Sequence, residues 1–301
     1  MWVTRIKGRV SQLMNETPSN TADELEVHRT VSDDGTEIAG HVRGHGPPLV
    51  LVHAGLGDGV LDWNAAVPYL SDRFTCYLMS TRGRGLSDDH PDQSLERYEE
   101  DIIAFVESIG KPVALAGASG GAMSTLGAAA RSEAVAAVAA CDPLAFETLS
   151  EEDDARLHDA VERMAGLAAE DKLVEAARDW MMEWANDHEM AALSESGYFE
   201  DCATYVPVLL QTLHQIDDSD APSPTDPSVL QQITVPVLVL QGSQSNATWP
   251  WFTASVRHIE EHVADAEVRE ISDAGHMGTW VEPEGYSDEL IDFFGERLPE
   301  V

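Results

Sequence analysis

Positive charge is the scarcest property of this sequence. Only Lys7, Lys111 and Lys172 are lysines among 301 residues, and 18 basic side chains face 54 acidic ones for a formal net charge of −36. A field of that sign repels polyphosphates and anionic headgroups, which excludes nucleic acid and membrane surfaces as partners. Self-repulsion on this scale weakens a compact fold unless salt screens it, so the composition reads either as a merely acidic protein or, the reading preferred, as a halophile's protein adapted to concentrated salt. Cysteine is equally scarce. Cys76, Cys141 and Cys202 are odd in number and far apart, which leaves neither a disulfide framework nor a zinc ribbon and makes reduced, buried thiols the expectation. No apolar run approaches the roughly 18 residues of a membrane span, and the start "MWVTRIKGRVSQLMNETPSN" lacks the apolar stretch of a signal peptide. A soluble, cytoplasmic protein is expected.

With 43% apolar and 24% charged residues, the chain is long enough to bury a sizeable core. Residues 1–24 are polar and aperiodic, and read as a loose N-terminal arm. "LEVHRTV" and "TEIAGHV" flank Asp34-Gly35, a pair suited to a hairpin turn between antiparallel strands. "PPLVLVHAG" is a continuous apolar run and predicts a strand buried on both faces. Strands "FTCYLMS", "PVALA" and "AVAAVAACD" then alternate with helical patterns. In "SLERYEEDIIAFVESIG", Leu95, Tyr98, Ile102, Phe105, Val106 and Ile109 make one stripe ended by Gly110. Between residues 143 and 229 the patterns are helical, as in "DARLHDAVERMAGLAA" and "LVEAARDWMMEWAND", and the alternation resumes with "VPVLVLQ", "PWFTASVRHIEEHV", "EVREIS" and a last helix ending near Arg297. The fold class expected is α/β: a mostly parallel central sheet with helices on both faces, formed by residues 25–142 and 230–301, with a helical cap over 143–229.

"ALAGASGGAMS" places Ser119 between glycines at a strand-to-helix junction. The pentapeptide Gly117-Ala118-Ser119-Gly120-Gly121 fits G-x-S-x-G, whose sharp turn presents a nucleophile, although the pattern alone is weak. A nucleophilic serine needs a base, a group to hold that base, and donors for the oxyanion. His276, in the glycine-bounded loop "DAGHMG" after the last strand, stands where the base belongs. The chain order Ser, acid, His, each at a strand's C-terminal end, brings distant residues to one sheet edge, as acyl transfer by a triad requires.

At these residues, over about 25–298, the chain resembles the α/β-hydrolase superfamily. The features are "LVLVHAGLGDG" with Trp63 downstream, "STRGRGLSDD", "GASGG" and "AGHMG". The resemblance implies an oxyanion hole from the backbone N–H groups of Gly55 and Gly120, or of Leu56 if the loop is shifted by one, with His53 a brace rather than the base. The commonest family position for the acid is taken by Ser245 in "QGSQS". A second family arrangement draws the acid from the strand before the cap, where Asp142 in "ACDPLAF" resembles the Glu of an "EPP" turn; the alternative for Asp142 is a turn residue before Pro143.

Other patterns compete. His258-Ile259-Glu260-Glu261-His262 fits the metallopeptidase pattern H-x-x-E-H, but Phe252, Val256, Ile259 and Val263 form the buried stripe, which leaves Glu261 facing away and no third ligand nominated. Gly55-x-Gly57-x-Gly59 lacks the last glycine spacing of a dinucleotide loop. Trp180, Met181, Met182 and Trp184 either line an acyl pocket or form cap core, and Trp249 and Trp251 are equally ambiguous. The reading is a serine hydrolase acting on a small-molecule carboxylic ester or related acyl compound through Ser119, Asp142 and His276 and an acyl-enzyme, without cofactor or metal. Cofactor-free perhydrolysis or acyl transfer uses the same groups, and a non-catalytic small-molecule binder of the same fold stays open.

Overall fold

Alternation within Pro48–Val52 sets the layers of the molecule. All five residues are buried, with Leu49 and Leu51 joining the core on one face of a sheet and Val50 and Val52 that on the other. A strand covered on both faces has no polar side to show, hence the unbroken apolar run. The computed structural model describes residues 26–217, 219 and 221–298, so the expected N-terminal arm lies outside the described residues.

Eight strands form one sheet: β1 Val27–Val31, β2 Glu37–Gly44, β3 Pro48–Val52, β4 Thr75–Ser80, β5 Val113–Ala118, β6 Val135–Cys141, β7 Val237–Gly242 and β8 Ala266–Ile271. Their order is β1-β2-β4-β3-β5-β6-β7-β8. The β1–β2 pair turns at Asp34-Gly35 and is antiparallel, as is β2 on β4; every later pairing is parallel. The chain therefore reverses direction between β2 and β3, and the parallel strands that follow deliver their C-terminal ends to one edge.

Helix α1 (Leu95–Ser108) buries Tyr98, Ile102, Phe105 and Val106, while Leu95 and Ile109 at its ends are only half-buried. Together with α2 (Gly120–Arg131), it covers the Val50/Val52 face. Between β6 and β7 the regular elements among the described residues are helical, chiefly α3 (Glu151–Ala169), α4 (Leu173–Met181), α5 (Asp187–Ser196) and α6 (Val206–Asp217). The pattern "LVEAARDWMMEWAND" predicts one helix, but α4 stops at Met181. Asn186 is drawn out of helical geometry to cap α5: its side chain accepts from Glu189 N–H while the Glu189 carboxylate takes the Asn186 N–H, a capping box. Helix α7 (Trp251–His262) packs on the same sheet face as α1, and α8 (Pro283–Gly295) closes the opposite face with Phe293 and Phe294; it ends two residues short of the expected Arg297.

No helix among the described residues is long and apolar enough to cross a membrane. Cys76, Cys141 and Cys202 are free and buried. A net charge of −36 makes repulsion among surface carboxylates the expectation. Lowering salt from about 1 M to 0.1 M lengthens the Debye length from roughly 3 to 10 Å. The melting temperature, read by calorimetry, is therefore expected to fall as salt is diluted; a value independent of salt would refute the repulsion argument.

Candidate active site

The turn after β5 is built for close approach. A Cβ on Gly117 would lie 2.5 Å from Gly121 O, and one on Gly121 would lie 2.1 Å from His53 O, so neither position accepts a side chain. Ser119, between them, is held at φ 53 and ψ −120, a conformation that costs a non-glycine residue of order 1–3 kcal/mol. Its own N–H donates to Cys141 O at 2.9 Å, which ties the strained turn to the end of β6.

His276 reaches this serine from the loop after β8. Its Nε2 lies 2.9 Å from Ser119 Oγ, and the residue is only 8% exposed. Burial pushes the imidazole pKa from 6.5 down to about 3, so the ring is neutral over ordinary pH and Nε2 can accept the hydroxyl proton. Phe252 and Trp184 pack on the ring at centroid separations of 4.5 and 5.6 Å.

Asp142 directly follows β6 with its backbone at φ 43, but it does not complete the expected link. His276 Nδ1 is buried with no hydrogen-bond partner. The Asp142 carboxylate instead accepts from Gly242 N, at 3.2 and 3.3 Å for its two oxygens, and from the Tyr286 hydroxyl. Ser245, which occupies the commoner acid position, is buried beside that carboxylate without meeting hydrogen-bond geometry. The physical reason for the difference is competition: two donors from β7 and α8 satisfy the oxygens that sequence reasoning reserved for the imidazole. Burial nonetheless raises the Asp142 pKa from 3.8 to about 6, against the hydrogen bonds that lower it.

A second carboxylate at the histidine loop escaped the sequence reading. Glu189 of α5 is almost fully buried; its Oε1 accepts from Met277 N at 2.9 Å and its Oε2 from Asn186 N at 3.0 Å. A Cβ on Gly275 would lie 2.5 Å from Glu189 Oε2, which explains the glycine before His276. Burial first, and the neighbouring Asp142 charge after it, lift the Glu189 pKa to about 7. The spacing Asn186-x-x-Glu189 marks a helix start, but it carries no sign that the same carboxylate also holds a loop from the other end of the chain.

Gly55 and Gly120 face each other beside Ser119: a Cβ built on Gly120 would lie 3.7 Å from Gly55 N. Both line, with Leu56, Ser119 and His276, a cavity of about 100 Å³ between sheet edge and cap. His53 is a brace. Its Nε2 accepts from Thr81 N at 3.0 Å, its Nδ1 lies 2.7 Å from Ala54 O, and burial lowers its pKa to about 3. Of the ambiguous cap residues, Trp180, Met181 and Trp184 line the cavity as well as the cap core. Met182 is 62% exposed and does neither, whereas Trp249 and Trp251 are fully buried in the cap core. His258 and His262 spend ring nitrogens on backbone carbonyls of Thr225 and His258.

Residues 49–289 match the family model described as the alpha/beta hydrolase family. Solved structures similar to this chain include an alpha/beta hydrolase from Sphaerobacter thermophilus (24% identity, TM-score 0.71, covering 89% of this chain and 100% of that one). An esterase from Rhodococcus sp. superposes with TM-score 0.72 at 18% identity, over 90% of this chain and 99% of its own. The enol-lactonase from Burkholderia xenovorans gives TM-score 0.71 at 21% identity, over 89% and 100% respectively. No curated protein sequence matches the chain.

Proposed function

This chain belongs to the alpha/beta hydrolase family, and on that premise we propose that it is a serine hydrolase of carboxylic esters or lactones, working through an acyl-enzyme on Ser119. The observation that carries the reading is the 2.9 Å contact from Ser119 Oγ to a buried, neutral imidazole. Ser119 donates its proton to His276 Nε2 as Oγ attacks the carbonyl carbon. Negative charge then develops on the carbonyl oxygen, for which the N–H groups of Gly55 and Gly120 serve as donors in this reading. His276 returns the proton to the leaving alkoxide, and water repeats the sequence to free the acid and Ser119.

The imidazolium formed midway is the costly species, since burial opposes its charge. In this proposal Asp142 compensates it: its carboxylate is buried on a strained residue at the end of the neighbouring strand. The unpartnered Nδ1 of His276 favours one competing reading, a small-molecule binder that does not turn over. A fluorophosphonate probe separates the two. Stoichiometric labelling of Ser119, with hydrolysis of short-chain esters, is the expected result; an unlabelled, inert Ser119 would leave the binder.

A further inference from the structure

Two arginines of one loop are both buried, and they are treated differently. Arg82 is fully enclosed and neutralised, with Nε and Nη2 on the two oxygens of Asp101 at 2.8 and 2.6 Å and Nη1 on Asp34 at 2.7 Å. Arg84 is 3% exposed and lines the cavity in front of Ser119, yet no carboxylate among the described residues comes within ion-pair distance of it. Its Nη2 donates to Gly55 O at 2.7 Å and its Nη1 to Thr81 Oγ1 at 3.2 Å, both neutral acceptors, while Nε is buried without a partner.

A guanidinium stays charged at any accessible pH and carries five N–H donors, so two neutral contacts leave three donors without an acceptor and the charge without an ion-pair partner, with only the Tyr98 ring face at 5.8 Å and the more distant field of Asp62 to offset it. The neighbouring carboxylates, Asp62 and the Asp58 beside Gly85, are engaged elsewhere. Asp58 caps Val60 and Leu61 and takes the Tyr205 hydroxyl. Asp62 accepts from Ala54 N at 2.7 Å and from the Tyr198 hydroxyl. The other flanking groups, His53 and Tyr98, offer no negative charge. The rest of the wall is mainly apolar, with Leu95, Leu144, Leu213 and Trp180 among its residues. A buried, unpaired cation in such a wall is retained where an anion arrives to complete it.

We propose that Arg84 binds a carboxylate of the substrate, so that the ester or lactone hydrolysed here carries a second, anionic group: a half-ester of a short dicarboxylic acid, or a carboxylated lactone. The proposal rests on the hydrolase reading above. Because Arg84 also holds Gly55 O, the bound carboxylate lies on the oxyanion side of the cavity and fixes the acyl chain against Ser119 through an apolar spacer.

The test compares monoethyl glutarate with ethyl pentanoate on the full chain. Wild type is expected to favour the half-ester by at least tenfold in kcat/KM. In Arg84→Gln the half-ester KM should rise at least tenfold more than that of the neutral ester, with Arg84→Lys intermediate. Glutarate should competitively inhibit hydrolysis of ethyl pentanoate by wild type, a measurement that requires no variant to fold. Equal kcat/KM for the two esters in wild type, equal losses on both in Arg84→Gln, or absence of glutarate inhibition would each overturn the assignment of Arg84 while leaving the hydrolase reading intact. Failure of the fluorophosphonate to label Ser119 would overturn that reading instead.

Discussion

Ser119→Ala is expected to lower kcat for ester hydrolysis by on the order of 10³-fold or more, since loss of the nucleophile removes the covalent route and leaves only binding and the oxyanion donors. The fold should survive, because the Ser119 side chain makes one hydrogen bond, to His276, and the turn is held by its backbone N–H on Cys141 O. Alanine retains the Cβ and with it the strain at φ 53. Ser119→Gly removes that strain, so it should be equally inactive but more stable than wild type by about 1 kcal/mol. Steady-state kinetics and thermal melts on the two variants check both statements; turnover retained in either one would eliminate Ser119 as nucleophile.

Asp142→Asn should have a comparable effect for an electrostatic reason. If its charge compensates the imidazolium, turnover should fall by on the order of 10²–10³-fold, the loss typical of removing one electrostatic stabiliser of the transition state, without the tautomer effect of an aspartate bonded to Nδ1. With its oxygen in the Oδ2 position the amide can still accept from the Tyr286 hydroxyl and, at 3.3 Å, from Gly242 N, so the site should remain folded. The sign of the pH dependence follows from burial. Asp142 ionises near 6 and His276 is already neutral there, so kcat/KM in wild type should rise as pH increases through about 6 and lose that limb in the variant. Stability runs the other way: a folded pKa raised above 3.8 gives a contribution that is full below pH 3.8 and lost as pH rises through about 6. Ser245→Ala should cost less than tenfold. If Asp142→Asn stays within tenfold of wild type while Glu189→Gln collapses turnover, the compensating charge belongs to the cap.

Much of this was legible because period and punctuation decide it locally. Strands buried on both faces announce themselves as apolar runs, and Gly117, Gly121, Gly275 and Gly278 around Ser119 and His276 are demanded by contacts within 3 Å. The order of strands was harder, since nothing in "EIAGHV" states that it will pair with β4 rather than β3. The break after Met181 was missed because a periodic apolar pattern continues through it, while the cap at Asn186 depends on one side-chain choice. The destination of the Asp142 oxygens was hidden because their donors, Gly242 and Tyr286, lie 100 and 144 residues away. Arg82 and Arg84 look alike in "STRGRG"; only burial and partners distinguish them.

The hydrogen bond from Met277 N to Glu189 makes the cap something other than a detachable module. A chimera that kept the sheet and exchanged residues 143–229 for another lid would preserve Ser119, Gly55 and Gly120, yet it would leave the peptide after His276 without its acceptor. Donor lids for grafting into this scaffold must therefore supply an acceptor at the Glu189 position, and variation in the lid is constrained by the loop that carries His276 as well as by the shape of the cavity.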